Sequence, residues 1–307
     1  MPPFLARQER FPRVASTQDV VRGWLDAGSP EVCLAVADEQ TEGRGRSGRT
    51  WIAPPGRALL LSLGFRPTWL AAGHAWRLAA TVSLAMADAA EEAAGLRDRA
   101  IGLKWPNDLV IEDGLPDLPL GESARGRVRK LGGVLGESDG LGTAEPRVVV
   151  GIGLNADWPA DGFPADLAPS MTSLRVASNG RPIDPNVLLD GFLSHLEARV
   201  EALRAGRFDV GDWAARQVTT GRQVRLEGHA HVAEECHAVG VDPATGALLV
   251  ADPQAPNGER AVHAGEVTRI RIAETAGPRA TVAAEAHRLP APAGARTGPG
   301  SIPAADA

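Results

Sequence analysis

The pattern of apolar and polar positions divides the chain into three regions. In the first, from about residue 11 to 216, apolar residues at helical spacing alternate with short apolar runs. Helices are predicted in STQDVVRGWLDAG, with Ser16 and Thr17 as capping residues, and in DPNVLLDGFLSHLEARVEALRAG, with Asp184 as the cap. A third, Ala-rich helix is predicted in HAWRLAATVSLAMADAAEEAAG, which ends at Gly95.

Strands are predicted where short apolar runs are bounded by turn residues. In the first region these runs are EVCLAVADEQ, RALLLSLGF, KLGGVLGES and PRVVVGIGLN. The segment AIGLKWPNDLVIEDG predicts two strands separated by a Pro-Asn turn. The long connection DGLPDLPLGESARGRVR, residues 113–129, is predicted to be either a functional loop or a disordered one.

The spacing of apolar residues changes in the second region, from about residue 217 to 272. RQVRLEG, AHVAEECHAVGVD, ALLVADP and AVHAGEVTRIRI predict four or five short strands joined by turns, which is typical of a small barrel. The third region, from about residue 274, is rich in Ala, Pro and Gly without an apolar period, and we expect it to be disordered.

Composition narrows the class of protein. The chain has 307 residues, of which 44% are apolar and 23% charged, as in soluble globular proteins. The net charge of −6 argues against duplex DNA as a partner, and two cysteines make no disulfide framework. Neither a secretory signal nor a long uncharged apolar stretch is present, so we expect a cytoplasmic protein without a membrane partner.

The segment GRGRSGRTW, residues 43–51, is called the glycine–arginine loop below. Its glycines allow close approach of the backbone to a ligand, and its three arginines suit a phosphorylated, polyanionic ligand. The P-loop is excluded because no Gly-Lys-Ser/Thr follows, and the dinucleotide fingerprint because no helix is expected after it. A flexible basic loop or an RNA-binding patch is the alternative.

Three further motifs lie at predicted strand ends. In KWPNDLV, Lys104 and Asp108 beside a tight turn suit a phosphate or a Mg²⁺-bound nucleotide, or else form a surface ion pair. Lys130 precedes a glycine pair in RKLGGVLGES, and VVVGIGLN ends at Asn155; ordinary core strands are the alternative for both. Because ligand sites gather at strand ends, the four motifs together predict one pocket.

GRGRSGRTW, KWPNDL, KLGGVL and GIGLN, in that order, resemble biotin–protein ligase, also called biotin–[acetyl-CoA-carboxylase] ligase. The resemblance covers about residues 14–272. It implies an α+β fold with a mixed β-sheet catalytic domain packed with helices, similar to class II aminoacyl-tRNA synthetases and biotin ligases, over residues 1–216. It also implies a small C-terminal SH3-like β-barrel over 217–273, followed by the tail at 274–307.

The resemblance implies an ATP-dependent ligase. Such an enzyme makes biotinyl-5′-AMP from biotin and MgATP, then transfers the biotinyl group to one lysine of a biotin carboxyl carrier protein domain. ATP, Mg²⁺ and biotin are then substrates, and we expect no protein-bound metal and no covalent enzyme intermediate. About 15 residues precede the pocket segment, too few for the DNA-binding domain of some family members, so no DNA partner is expected. A monomer and a homodimer both remain open.

Residue roles transfer by motif position. Lys130, Arg46 and Asp108 are the implied catalytic residues, and Lys130 is expected to contact the biotin carboxylate and the phosphate. The glycine–arginine loop is expected to close over the adenylate and to be mobile without it. The implied biotin-binding residues are Ser16, Thr17, Gln18, Gln40, Arg44, Gly45, Arg46, Lys130 and Gly133. The implied ATP-binding residues are Arg46, Arg49, Trp51, Lys104, Asn107 and Asn155.

Several alternatives stay open at this point. A lipoate- or octanoate-attaching enzyme shares an active-site lysine, and a binding protein without activity could sequester biotin or RNA. Arg125, Arg127 and Arg129 either touch the carrier or the phosphates or are solvated. The cluster His229, His231, Cys236 and His237 suggests a metal site, but Cys236 and His237 would point to opposite faces of a strand.

Overall fold

The computed structural model describes residues 3–113, 126–228, 233–264 and 267–272. All of these belong to one compact unit, Met1–Thr275. The domain boundary expected at residue 216 therefore stays a prediction. The tail at 274–307 and most of the connection at 113–129 lie outside the described residues.

The first sheet has seven strands in the order β1-β2-β3-β7-β6-β5-β4. Strand β1 pairs in parallel with β2, and every other pair is antiparallel, which confirms the predicted mixed sheet. The strands are β1 (Arg7–Phe11), β2 (Cys33–Ala37), β3 (Ala58–Phe65), β4 (Ile101–Lys104), β5 (Asp108–Glu112), β6 (Val128–Asp139) and β7 (Arg147–Asn155). No apolar pattern predicted β1, because RQERF is an edge strand whose first four side chains are exposed.

Helices cover both faces of this sheet. Cys33 and Ala35 of β2 pack with α1 (Thr17–Asp26), whereas Leu34 and Val36 share a core with α2 (Trp76–Ala94) and α4 (Pro185–Arg204). The three predicted helices are confirmed, and two shorter ones are added, α3 (Leu174–Ala177) and α5 (Val210–Ala215). No helix among the described residues combines the length and apolar character needed to cross a bilayer.

The second sheet is antiparallel, with strand order β11-β10-β9-β8-β12. Its strands are β8 (Gln223–Gly228), β9 (Ala233–Val241), β10 (Leu248–Ala251), β11 (Glu259–Val262) and β12 (Val267–Ile272). The segment AVHAGEVTRIRI, predicted as one strand, contains the end of β11 and all of β12, and these two strands form opposite edges of the sheet. A separate apolar core underlies these strands, as expected for a small β domain.

A buried ion cluster joins α2 to the segment after α5. The guanidinium of Arg216, only 2% exposed, lies 2.8 Å from a carboxylate oxygen of Glu91 and 2.8 Å from one of Asp88. Arg216 Nη1 also donates to the Ile101 carbonyl at 3.0 Å, and Glu91 accepts from the Ile101 N–H at 2.8 Å. The cluster thus fixes the start of β4, which leads into the predicted KWPND turn.

Arg216→Met should lower the free energy of unfolding by about 3–5 kcal/mol, because it leaves the Glu91 carboxylate buried without its cation. Urea unfolding would measure this. Arg225→Met is the control: this side chain is 52% exposed and its two carboxylate contacts are 3.8 and 3.9 Å, so a change below about 1 kcal/mol is expected. Equal losses in both variants would contradict a special role of the buried cluster.

Candidate functional site

A cavity of about 770 Å³ lies between α1, the first sheet and β12. All predicted site residues except Ser16 line it: Thr17, Gln18, Gln40, Arg44, Gly45, Arg46, Arg49, Trp51, Lys104, Asn107, Asp108, Lys130, Gly133 and Asn155. Ser16 is the N-cap residue of α1 and is buried, because it ends the extended segment that leads into the helix. Ser16 is therefore not among the residues that line the cavity, and its contact with biotin stays a prediction.

The floor of the cavity follows from strand register. Lys104 pairs with Asp108, Asp108 with Gly133, and Gly133 with Gly153, so these four residues form one row across the sheet. Because Gly133 and Gly153 have no side chains, the sheet backbone beside Asp108 is uncovered. A Cβ atom at Gly153 would lie 2.4 Å from Cε2 of Trp51, so the indole packs directly on the sheet backbone.

A β-bulge brings Lys130 to the same face of the sheet as this row. Lys130 and Gly133 are three residues apart and would face opposite sides of a regular strand. The pairing shifts after Leu109, so that Val110 pairs with Lys130 and Leu131 is the extra residue. Lys130 Nζ then lies 2.6 Å from Asp108 Oδ1 and 5.5 Å from the centre of the Trp51 ring.

The electrostatics of the cavity favour a polyanion. Among the described lining residues, Asp108 is the only carboxylate. Burial, and then the neighbouring Arg49, lower the pKa of Arg46 from its ordinary value, so that an anion bound there would relieve an unfavourable cation. The cationic lining residues are Arg44, Arg46, Arg49, Lys104, Arg127, Lys130 and Arg271.

The end of the cavity at α1 is polar but uncharged. Gln40 Oε1 accepts hydrogen bonds from Thr17 N at 2.8 Å and from Thr17 Oγ1 at 3.0 Å. Since the Thr17 hydroxyl donates to Gln40, its contact of 2.8 Å with Ser62 Oγ uses the Ser62 proton. Ser62 therefore keeps free lone pairs. Ser62 was not among the predicted site residues, although it is the single polar residue in the apolar strand ALLLSLGF.

Gln18 completes this end of the cavity. Its Nε2 donates to the Leu135 carbonyl at 3.2 Å. A Cβ atom at Gly151 would lie 3.0 Å from Gln18 Cδ, so the glycine makes room for this side chain against β7.

The glycine–arginine loop is folded as a hairpin in this structure. Trp51 N donates to the Gly43 carbonyl at 2.9 Å, and Gly45 N to the Arg49 carbonyl at 2.7 Å. Arg44 donates to both carboxylate oxygens of Asp19 on α1, at 2.7 and 2.8 Å. Arg46 donates to the Ala264 carbonyl at 2.5 Å. Mobility of the loop without a ligand stays a prediction.

Other predicted residues also hold the walls of the cavity. Asn107 Nδ2 donates to the Val134 carbonyl, and Asn155 Nδ2 to the Thr172 carbonyl, each at 2.9 Å. Lys104 Nζ donates to the Ile270 carbonyl of β12 at 2.9 Å, which connects the two sheets. These contacts depend on tertiary structure, and no sequence pattern signalled them.

The other candidate residues, the arginines before Lys130 and the His/Cys cluster, lie in different surroundings. Arg127 lines the cavity, Arg129 donates to Asp113 at 2.7 Å, and Arg125 lies outside the described residues. His229 and His231 also lie outside them, while Cys236 is buried in the core of the second sheet. In the described part of the chain, no three His, Cys, Asp or Glu side chains are grouped to hold a metal.

Asp19→Asn should open the glycine–arginine loop and speed trypsin cleavage after its arginines about two- to fivefold, since a partly exposed ion pair contributes up to about 1 kcal/mol. Mass spectrometry of the cleaved products would measure this. The Arg44 hydrogen bond holds the pKa of Asp19 below its ordinary value, so this contribution is present at neutral pH and is lost as the pH falls through the lowered pKa. Asp26→Asn, which loses a pair with Arg147 outside the loop, is the control, and equal cleavage rates would contradict the prediction.

The sequence is similar to that of known biotin ligases. Residues 10–155 match the family model of the Biotin/lipoate A/B protein ligase family. A biotin–[acetyl-CoA-carboxylase] ligase of Paracoccus denitrificans is 31% identical over 239 residues, covering 76% of this chain and 88% of that protein. A protein of the same name from Mycobacterium tuberculosis is 33% identical over 196 residues, covering 63% of this chain and 64%, less than two thirds, of its own length.

The fold is similar to that of the biotin protein ligase from Aquifex aeolicus in complex with biotin and ATP. The TM-score is 0.67, with 23% identity over 87% of this chain and 99% of that one. This likeness confirms the predicted catalytic fold. The relative from Paracoccus denitrificans, with the matching family model, establishes that the chain belongs to the Biotin/lipoate A/B protein ligase family.

Proposed function

We propose that this chain is an ATP-dependent ligase that activates biotin as biotinyl-5′-AMP and transfers it to a lysine of a biotin carboxyl carrier domain. The observation that carries the proposal is the cavity itself, which joins an uncharged polar end to a cationic region around Lys130. Relatives named biotin–[acetyl-CoA-carboxylase] ligase support it.

The uncharged end suits the head of biotin. The ureido ring of biotin carries N–H donors and a carbonyl acceptor, which suit a polar but uncharged lining. Lipoate carries a dithiolane ring without such donors, and it would leave these buried polar groups unpaired. A site built for hydrogen bonds rejects an analogue that lacks them.

The cationic region suits the first half-reaction. The biotin carboxylate attacks the α-phosphate of ATP and pyrophosphate leaves, so two anions must be held together. Lys130 and Arg46 can neutralise this charge. Since the described lining offers one carboxylate, Mg²⁺ would enter as MgATP, held mainly by the phosphates.

Asp108 fits the second half-reaction. The neutral amine of the acceptor lysine attacks the acyl carbon, and a C–N bond forms. The C–O bond to the phosphate breaks and its electron pair leaves with AMP. The nitrogen loses one proton, which the Asp108 carboxylate can accept.

An intact-mass assay tests the proposal. The protein is mixed with MgATP, a competent carrier domain, and either biotin or lipoate. A biotin-sized shift of the carrier, absent with lipoate, is the expected result. A shift with lipoate alone would favour the lipoate-attaching alternative, and no shift with either acid would favour a binding protein without activity.

Arg46→Gly should release biotinyl-5′-AMP, because the glycine–arginine loop loses its contact with Ala264 and its charge on the phosphate. Bystander proteins added to the reaction should then be biotinylated several-fold more than with the parent protein. Mass spectrometry of an added lysine-rich protein would show this. A variant that labels the carrier alone would argue against the loop as the lid.

A further inference from the structure

A second cavity, of about 300 Å³, meets the first around Arg46, Asn107 and Asp108. It extends along Val134–Ser138 of β6, beyond the residues that pair with β5. Helix α2 and the loop that precedes β10 form its other sides.

Two tryptophans give this second cavity fixed apolar walls. Trp105 Nε1 donates to the Gly246 carbonyl at 3.0 Å and Trp76 Nε1 to the Ala244 carbonyl at 3.3 Å. Both indole N–H groups are thus satisfied by the loop before β10, which holds the two rings in place as apolar lining of the second cavity. Trp105 is only 3% exposed, and Trp76 also packs edge-on against Phe208. Gly246 has a φ of +73°, and a Cβ atom there would lie 2.7 Å from Trp76 Cδ2, so loop and indole are in close contact.

We propose that the second cavity is the channel through which the acceptor lysine side chain reaches the adenylate. This inference rests on the proposed function. The adenylate would occupy the first cavity, so the amine has to reach the acyl carbon from a side that the adenylate does not cover. Apolar walls suit the methylene stem of lysine, and Asp108 lies where the two cavities meet, placed to accept the proton that the amine loses.

Gly136 offers a way to fill the channel without touching the first cavity. It lines the second cavity and not the first. A Cβ atom at Gly136 would meet only Ala79 Cβ of α2, at 3.6 Å, which is an ordinary contact. A leucine at this position therefore fits the backbone and projects a side chain into the channel.

Gly136→Leu should form the adenylate at the parent rate and transfer it to the carrier at least tenfold more slowly. Hydroxylamine, a nucleophile small enough to pass the narrowed channel, should still consume the adenylate at the parent rate. Gly136→Ala should lose less than threefold in transfer. Ala79→Leu, which fills the channel from α2, should repeat the result if Gly136→Leu does not fold.

A small acceptor, Nα-acetyl-lysine methylamide, distinguishes a blocked channel from a disturbed protein surface, because it enters the channel without docking a carrier protein. In Gly136→Leu, the rate of transfer to this small acceptor is also expected to fall tenfold. Parent rates of transfer in both Gly136→Leu and Ala79→Leu would overturn the inference. A transfer rate that falls with the carrier protein but not with the small acceptor would also overturn it. Failure of the parent protein to make any adenylate would instead refute the proposed function.

Discussion

Lys130→Ala is expected to lower the rate of adenylate formation by about 10²–10³-fold or more, the cost of removing one charged group that stabilises developing charge. Lys130 Nζ lies 2.6 Å from Asp108 and over the Trp51 ring, at the centre of the cationic region. Without it, the cavity loses one of the two cations, Lys130 and Arg46, that are proposed to offset the repulsion between the biotin carboxylate and the α-phosphate. Pyrophosphate release, measured with saturating biotin and MgATP, gives the rate.

The fold should survive this change. The backbone of Lys130 bonds to Ser170 and Thr172, at 2.8 Å each, and alanine keeps both bonds. The unfolding midpoint should therefore move little, whereas Arg216→Met should move it strongly. Parent-level turnover by Lys130→Ala would remove Lys130 from the catalytic assignment, and loss of folding would make it a structural residue.

Lys130→Arg tests geometry at constant charge. The chain contains 30 arginines but only two lysines, Lys104 and Lys130, and both line the cavity. A planar guanidinium is larger than an ammonium and binds as a fork rather than as a point charge. We expect Lys130→Arg to recover only part of the lost rate. Recovery to the parent rate would show that charge alone is required.

The elements of this fold were predictable wherever local chemistry determines them. Asp184 caps α4 by accepting from Asn186 N at 2.8 Å, and Pro185 occupies the first turn. Gly95 ends α2 in the left-handed conformation, with φ of +59°. These signals lie within a few residues of one another, so sequence analysis could place the helix ends.

The placement of Lys130 could not be predicted in the same way. It depends on a bulge, and a shift of register by one residue moves a side chain to the other face of a sheet. Likewise, the bidentate pair of Arg44 with Asp19 and the capping of Thr17 by Gln40 join segments more than 20 residues apart. The sequence motifs predicted which residues line the cavity. Only the tertiary structure showed which of these residues also make the hydrogen bonds that fix the cavity walls.

Gly153→Ala is expected to lower kcat/KM for ATP about 100-fold, a typical cost of moving a group by about 1 Å in an active site. The added Cβ atom would lie 2.4 Å from Cε2 and 2.6 Å from Nε1 of Trp51. An indole is rigid, so it must leave the floor of the cavity and carry the end of the glycine–arginine loop with it. The affinity for biotin should change much less.

Gly151→Ala, two residues earlier on β7, is the matched comparison. Its Cβ atom would lie 3.0 Å from Cδ of Gln18, at the uncharged end of the cavity. Because side chains two residues apart on a strand share a face, both variants add one methyl group to the same floor. Initial rates at varied biotin and varied ATP should show a higher KM for biotin in Gly151→Ala and a lower kcat/KM for ATP in Gly153→Ala. If both variants impaired the same substrate equally, the two ends of the cavity would not correspond to two ligands, and the assignment of Trp51 to the nucleotide would fail.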